Sequence, residues 1–173
     1  DIPKYPRRTV RVPTDDSFLT CAVKEWMKEI SSSEFRNLDD PIIRLNVQDK
    51  ARKSLQRWFY YFPENGGYSK GFSAWAQEEK PENKVADTNG CLMRQSPIAW
   101  YCQKKHSEDI ALQLTDILVE LTHNHHNSFH YSRLHTQMIY RLLDGTLTQQ
   151  QLASFANMDV ISLFEWKSKN RFI

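Results

Sequence analysis

An all-α fold is what this sequence predicts, on three observations. Apolar residues recur at spacings of three and four along most of the chain, the period of a buried helix face. No segment shows the sustained alternation of a half-buried strand. Only five of the 173 residues are glycine, too few for a sheet built on many tight turns. The length suits one domain over residues 1–173 with a sizeable core, with six or more helices packed around it.

Each element has its own reason. Residues 1–13 hold three prolines and three arginines and read as an irregular arm. Leu19, Ala22, Val23, Trp26 and Ile30 give a helix over Phe18–Ile30, ended by Ser31-Ser32-Ser33. Residues 34–46 read as a loop with a turn at Asp39-Asp40-Pro41. Ala51, Leu55, Trp58, Phe59 and Phe62 mark a second helix from about Gln48, stopped by Pro63 to Gly67. A short helix follows, with Phe72, Trp75 and Ala76, and then a polar loop over 78–88. Asn89-Gly90 signals a turn with positive φ, feeding a helix over Cys91–Gln103 with Pro97 in its first turn. Ser107 caps a helix whose stripe is Ile110, Leu114, Ile117, Leu118 and Leu121. Another helix covers Phe129–Leu143 and stops at Asp144-Gly145. Thr148 and Gln151 have capping-box spacing for a last helix to about Lys169.

Composition narrows the function. The net charge of +2 is too small to argue for nucleic acid or an anionic membrane. No apolar run is long enough to span a bilayer and no signal-peptide pattern is visible. Cys21, Cys91 and Cys102 are odd in number and lack CxxC spacing, which favours buried thiols in a reducing compartment. A cytoplasmic protein is the expectation.

Four oxygen-bearing side chains stand in a row at Thr14-Asp15-Asp16-Ser17. Asp16 or Ser17 could cap the following helix. The same residues could hold a hard cation such as Mg²⁺, Mn²⁺ or Ca²⁺, or could form a solvated loop. Spacing alone favours the cap. Two further stretches raise the metal reading, Asn89-Gly90-Cys91-Leu92-Met93-Arg94 and Thr122-His123-Asn124. His126 and His130, four apart in a cluster with His123 and His125, could bind zinc, although a polar turn rich in histidine explains them more simply. The aromatic run Trp58 to Phe62 fits core packing better than base stacking, with Tyr60 or Tyr61 free to border a pocket. Cys91 reads as a buried thiol rather than a nucleophile.

Together these stretches resemble the ADP-ribosylglycohydrolases, the family of the dinitrogenase-reductase-activating glycohydrolase and the ADP-ribosyl-acceptor hydrolases. The family's Thr-Asp-Asp-Thr/Ser motif matches Thr14 to Ser17. Its Asn-Gly, two residues, Met-Arg and nearby Pro match Asn89-Gly90, Met93-Arg94 and Pro97. Its later Thr-His matches Thr122-His123, and its Trp-containing helix and helix-opening Gly match Leu55 to Phe62 and Gly71. The likeness runs from about residue 10 to 145. The family's opening Gly-Asp-Ala helix and closing Asp-x-Asp motif have no counterpart, and Ser69 stands where many members have Asp.

The resemblance implies an all-α fold, a compact orthogonal multi-helix bundle of the ADP-ribosylglycohydrolase type, and hydrolysis at the ribose anomeric carbon of an ADP-ribosylated protein or other conjugate. It implies that Thr14, Asp15 and Asp16 bind Mg²⁺ or Mn²⁺, with Asp15 and Asp16 catalytic. Asn89, Gly90 and His123 would contact ADP-ribose, and Arg94 would brace the loop. The alternative is a catalytically degenerate member that binds ADP-ribose or a protein partner without turnover. Asp144, Asp159 and Glu165 are the remaining carboxylates that could complete the metal site.

Overall fold

A computed structural model describes residues 14–62, 67–79, 81–82, 89–148 and 151. Among the described residues there are seven α-helices, one 3-10 helix and no strand. The α-helices are α1 (Asp15–Glu29), α2 (Ser32–Arg36), α3 (Pro41–Tyr61), α4 (Lys70–Gln77), α5 (Ser96–Lys105), α6 (Glu108–Thr122) and α7 (His126–Leu143). The 3-10 helix spans Asn89–Arg94 and leads into α5.

Helix α1 buries Leu19, Ala22, Val23 and Trp26 of the stripe its spacing predicts, with Phe18 and Met27 beside them, and Ile30 is buried just past its end. It packs along α3. Two buried hydrogen bonds fix that pairing: Trp26 Nε1 donates to Val47 O at 3.0 Å, and the Ser54 hydroxyl donates to Ala22 O at 2.8 Å. The Phe18 and Phe62 rings stack at 4.3 Å between the start of α1 and the end of α3. Helix α6 is the central element, with Ala111, Leu114, Ile117, Leu118 and Val119 all buried. Both α3 and α5 pack on it, and α7 lies along it. Ser128, Ser132 and Thr136, one turn apart on α7, are small enough to bring α7 close, and Thr136 pairs with Thr115 of α6 at 2.8 Å.

The structure corrects several boundaries. Helix α1 begins at Asp15, because Thr14 supplies the extended N-cap backbone and two carboxylates suit the positive end of a helix. Ser31-Ser32-Ser33 does more than end α1. Ser31 caps α2 through a capping box with Glu34, inside the expected loop. Helix α3 starts at Pro41 rather than near Gln48, since Asp40 accepts from the N–H groups of Ile42 and Ile43 and Pro41 fits the first turn. The expected helix over Cys91–Gln103 is two elements. Asn89 and Gly90 open the 3-10 helix, so Gly90 has helical backbone rather than the left-handed turn that Asn-Gly favours. Positive φ occurs instead at Gly67 and Gly145, at +67° and +79°. Thr148 and Gln151 do form the reciprocal bonds of a capping box, at 3.0 and 3.2 Å. The helix expected beyond them and the 1–13 arm lie outside the described residues. Cys91 and Cys102 are buried, whereas Cys21 is exposed, because position 21 falls off the inward stripe of α1.

Candidate active site

Thr14, Asp15 and Asp16 stand together at the start of α1. Thr14 is exposed, and its side chain makes no capping bond. Asp15 and Asp16 are half-buried. Neither Asp16 nor Ser17 caps the helix, since both already lie within its first turn. Burial raises the Asp15 carboxyl above its ordinary value, and the negative charge of Asp16 adds to the rise. Backbone N–H groups at the helix end and the charge of Arg94 pull the other way without cancelling it. The pair is thus an under-compensated concentration of negative charge at the surface.

Thr20, one turn along α1 from Asp16, ties this end to the 3-10 helix. Its hydroxyl lies 2.6 Å from Asp16 O and 3.2 Å from Met93 O. Next in the chain is Arg94, only 1% exposed. Burial lowers its guanidinium to about 10, opposed by the neighbouring Cys91 and Asp15, so it is a cation at neutral pH. One Arg94 nitrogen, Nη2, donates to the Thr122 hydroxyl. Thr122 Oγ1 in turn lies 2.9 Å from Nδ1 of His123. A hydroxyl can accept from a guanidinium and donate to an imidazole at once. A polar chain therefore runs from Arg94, beneath the acidic pair, through Thr122 to the largely buried His123.

Three stretches of sequence, separated by scores of residues, thus meet around one buried cation. The structure also places Asn89 and Gly90 at the opening of the 3-10 helix, with Gly90 half-buried. Ser69 caps α4 by accepting from Phe72 N at 3.1 Å. Asp144 does not approach the pair. It is exposed beyond α7, and its carboxylate accepts from the N–H and hydroxyl of Thr146 at 2.8 and 2.6 Å. Asp159 and Glu165 lie outside the described residues.

Among the described residues no group of three or more His, Cys, Asp or Glu side chains is arranged to hold a metal ion. That includes the zinc alternative at His126 and His130, both exposed on α7. Tyr60 and Tyr61 are 59% and 64% exposed on the outer face of α3, consistent with core packing for Leu55, Phe59 and their neighbours. Sequence reasoning did not single out Thr20 or Tyr68. Tyr68 stacks on Phe72 at 5.5 Å with its hydroxyl buried and unpartnered among the described residues. Burial raises its phenol, and the charge of Asp15 raises it further. The only signal for Thr20 is its spacing of four from Asp16. For Tyr68 there is none.

The family model for ADP-ribosylglycohydrolase matches residues 2–166 of the chain. Searches of the curated proteins and of the solved structures give no match.

Proposed function

The chain belongs to the ADP-ribosylglycohydrolase family, and from that membership we propose that it removes ADP-ribose from a modified protein or other conjugate in a reaction that requires Mg²⁺. The observation that carries this reading is the half-buried Asp15–Asp16 pair, linked through Arg94 to Thr122 and His123. The donors fit one hard cation. A hydroxyl and two carboxylates supply oxygen ligands, burial and mutual repulsion leave Asp15 short of positive charge, and Mg²⁺ commonly keeps several waters in place of protein ligands.

Thr14, Asp15 and Asp16 would hold the ion. The chemistry it supplies when bound is polarisation of ribose hydroxyls and orientation of a water. Asp15, its carboxyl raised above the ordinary value by burial and by Asp16, accepts the proton of the water that attacks the anomeric carbon. Asp16, one residue on, offers negative charge to the sugar as the leaving group departs and the ring becomes cationic. Backbone N–H groups near Asn89 and Gly90 receive phosphate, and His123 contacts the nucleotide. Arg94 holds these groups in register from below and touches no substrate.

A second reading rests on one observation, the lack of a third carboxylate or imidazole beside Asp15 and Asp16 among the described residues. On it the protein binds ADP-ribose without hydrolysis. One experiment separates the two: calorimetric titration of ADP-ribose with Mg²⁺ and again with EDTA, followed by a release assay on an ADP-ribosylated protein. Binding and release that both need Mg²⁺ support the hydrolase. Binding indifferent to EDTA, without release, supports the reader.

A further inference from the structure

A groove of about 540 Å³ lies between α1, α5 and α7, away from the acidic pair. Its apolar surface comes from Met27, Pro97, Trp100, Tyr101, Ile139 and Leu143. Trp100 is 50% exposed and Leu143 is 44% exposed, although both are large apolar side chains. The α1 wall carries Lys24 and Lys28, one turn apart. Two more lysines stand on the α5 side: Lys104 Nζ sits 4.2 Å over the Trp100 ring, and Lys105 Nζ sits 4.9 Å over the Tyr101 ring. None of the four lysines forms an ion pair among the described residues. No Asp or Glu is among the residues lining the groove. Positive charge lines the α1 wall and stands over the α5 rings, while α7 contributes the apolar Ile139 and Leu143.

Shape and charge select the occupant. Pockets for small molecules bury most of the ligand, but this trough leaves its largest ring half in solvent. A membrane surface is met by protruding side chains, whereas the apolar atoms here line a concavity. A helix laid along a trough formed by three helix faces fits the helix-in-groove mode of recognition. Its apolar side would meet Trp100, Ile139 and Leu143, and acidic residues on its flanks would meet the four lysines.

We propose that this groove docks an acidic amphipathic helix of a partner protein. In naming that partner as the ADP-ribosylated acceptor, the inference rests on the hydrolase reading, and docking itself does not. The groove begins at Lys24, about 13 Å along α1 from Asp15 at the rise of an α-helix. On the hydrolase reading, an acceptor protein large enough to reach around α1 engages the groove and presents its modified side chain to the acidic pair.

The test uses the whole chain and two synthetic helical peptides of 18 residues. Both carry Leu on one face; one has Glu on its flanks and the other has Lys at the same positions. Trp100 emission, isolated by difference from Trp100→Phe, reports binding. The Glu peptide is expected to change that emission and to lose affinity with added salt. The double reversal Lys24→Glu/Lys28→Glu, at two exposed sites, is expected to weaken it about tenfold or more. That variant should release ADP-ribose from a small conjugate at the unaltered rate. Equal binding of both peptides, or of neither, overturns the proposal. So does preference for dodecanoate or for anionic phosphatidylglycerol vesicles over the Glu peptide. A Trp100 that acrylamide cannot quench in the free chain overturns it too, because the groove would already be filled. Since no reading of peptide binding involves ADP-ribose or Mg²⁺, failure here is distinct from failure of the hydrolase reading.

Discussion

Arg94 shows how a single side chain can decide the integrity of a site without touching a ligand. It is buried, charged, bonded to Thr122 and close enough to Asp15 to affect its titration. Arg94→Ala removes the cation, opens a cavity and leaves the Thr122 hydroxyl only its bond with His123, and is expected to cost about 3 kcal/mol of stability. Urea unfolding measures it. Arg94→Lys keeps a charge but loses the planar fork, and should recover only part of that loss. The acidic pair behaves in the opposite way. Asp15→Ala and Asp16→Ala remove no capping bond and only partly buried atoms. Each should change stability by about 1 kcal/mol or less, while lowering Mg²⁺-dependent release of ADP-ribose by about a hundredfold or more. A variant that loses stability and activity in step would show the carboxylates to be structural.

At the scale of elements, α2 is the informative case. Its five residues are too few to form a helix alone. They are held by Ser31, whose N–H donates to Glu34 Oε2 at 2.7 Å, and by Lys50 of α3, which donates to the same carboxylate at 2.7 and 2.8 Å. Burial alone would raise the Glu34 carboxyl, but the bonds from Lys50 and Ser31 outweigh it and the net shift is downward. A carboxyl lowered by folding stabilises above its unfolded value and loses that contribution as pH falls through its folded value. Denaturant midpoints should therefore drop on acidification below the ordinary glutamate value of 4.5, and Glu34→Gln should flatten that limb. Ser31→Ala is expected to cost about 1 kcal/mol through the lost cap. Both follow from a pair, Ser31 and Glu34, that is visible as S-x-x-E in the sequence. The run of three serines hides it, because serine ends helices as readily as it starts them.

Over the whole molecule, the helices bring the three polar stretches to one end of α1 and leave the basic groove at the other. No helix among the described residues is long and apolar enough to cross a membrane. His106 packs against Tyr101 at the groove end of this layout. It stacks on Phe35 of α2 at 4.0 Å, and the Tyr101 ring of α5 lies 5.9 Å from it and 5.7 Å from Phe35. Burial lowers its imidazole, and the charge of Lys105 lowers it further. A histidine lowered by folding contributes stability that is complete above the ordinary value of 6.5 and lost as pH falls through its folded value. The carbon-bound imidazole proton resonances of His106 should titrate below that value, and should move back toward it in Lys105→Gln. Titration above 6.5 would contradict the packing.

The all-α class and the inward stripes of α1, α3 and α6 were set by the sequence itself, since burial of one helix face forces apolar residues into a period near 3.6. So were the caps at Ser107 and Thr148, because a cap is a local bond between residues two or three apart. The grouping of Thr14 to Asp16, Asn89 to Arg94 and Thr122-His123 was legible only through likeness to a family, as no local rule links residues that far apart. The structure decided where α1 and α3 begin, that Gly90 lies in a 3-10 helix, and that Asp144 turns back on Thr146. It also decided that Arg94 bonds to Thr122 while its charge acts on Asp15, and that two lysines of α1 and two of α5 stand beside one groove. These depend on which helix faces meet. Tertiary packing chooses those faces by the total area buried, a sum over the whole chain that no single stretch contains.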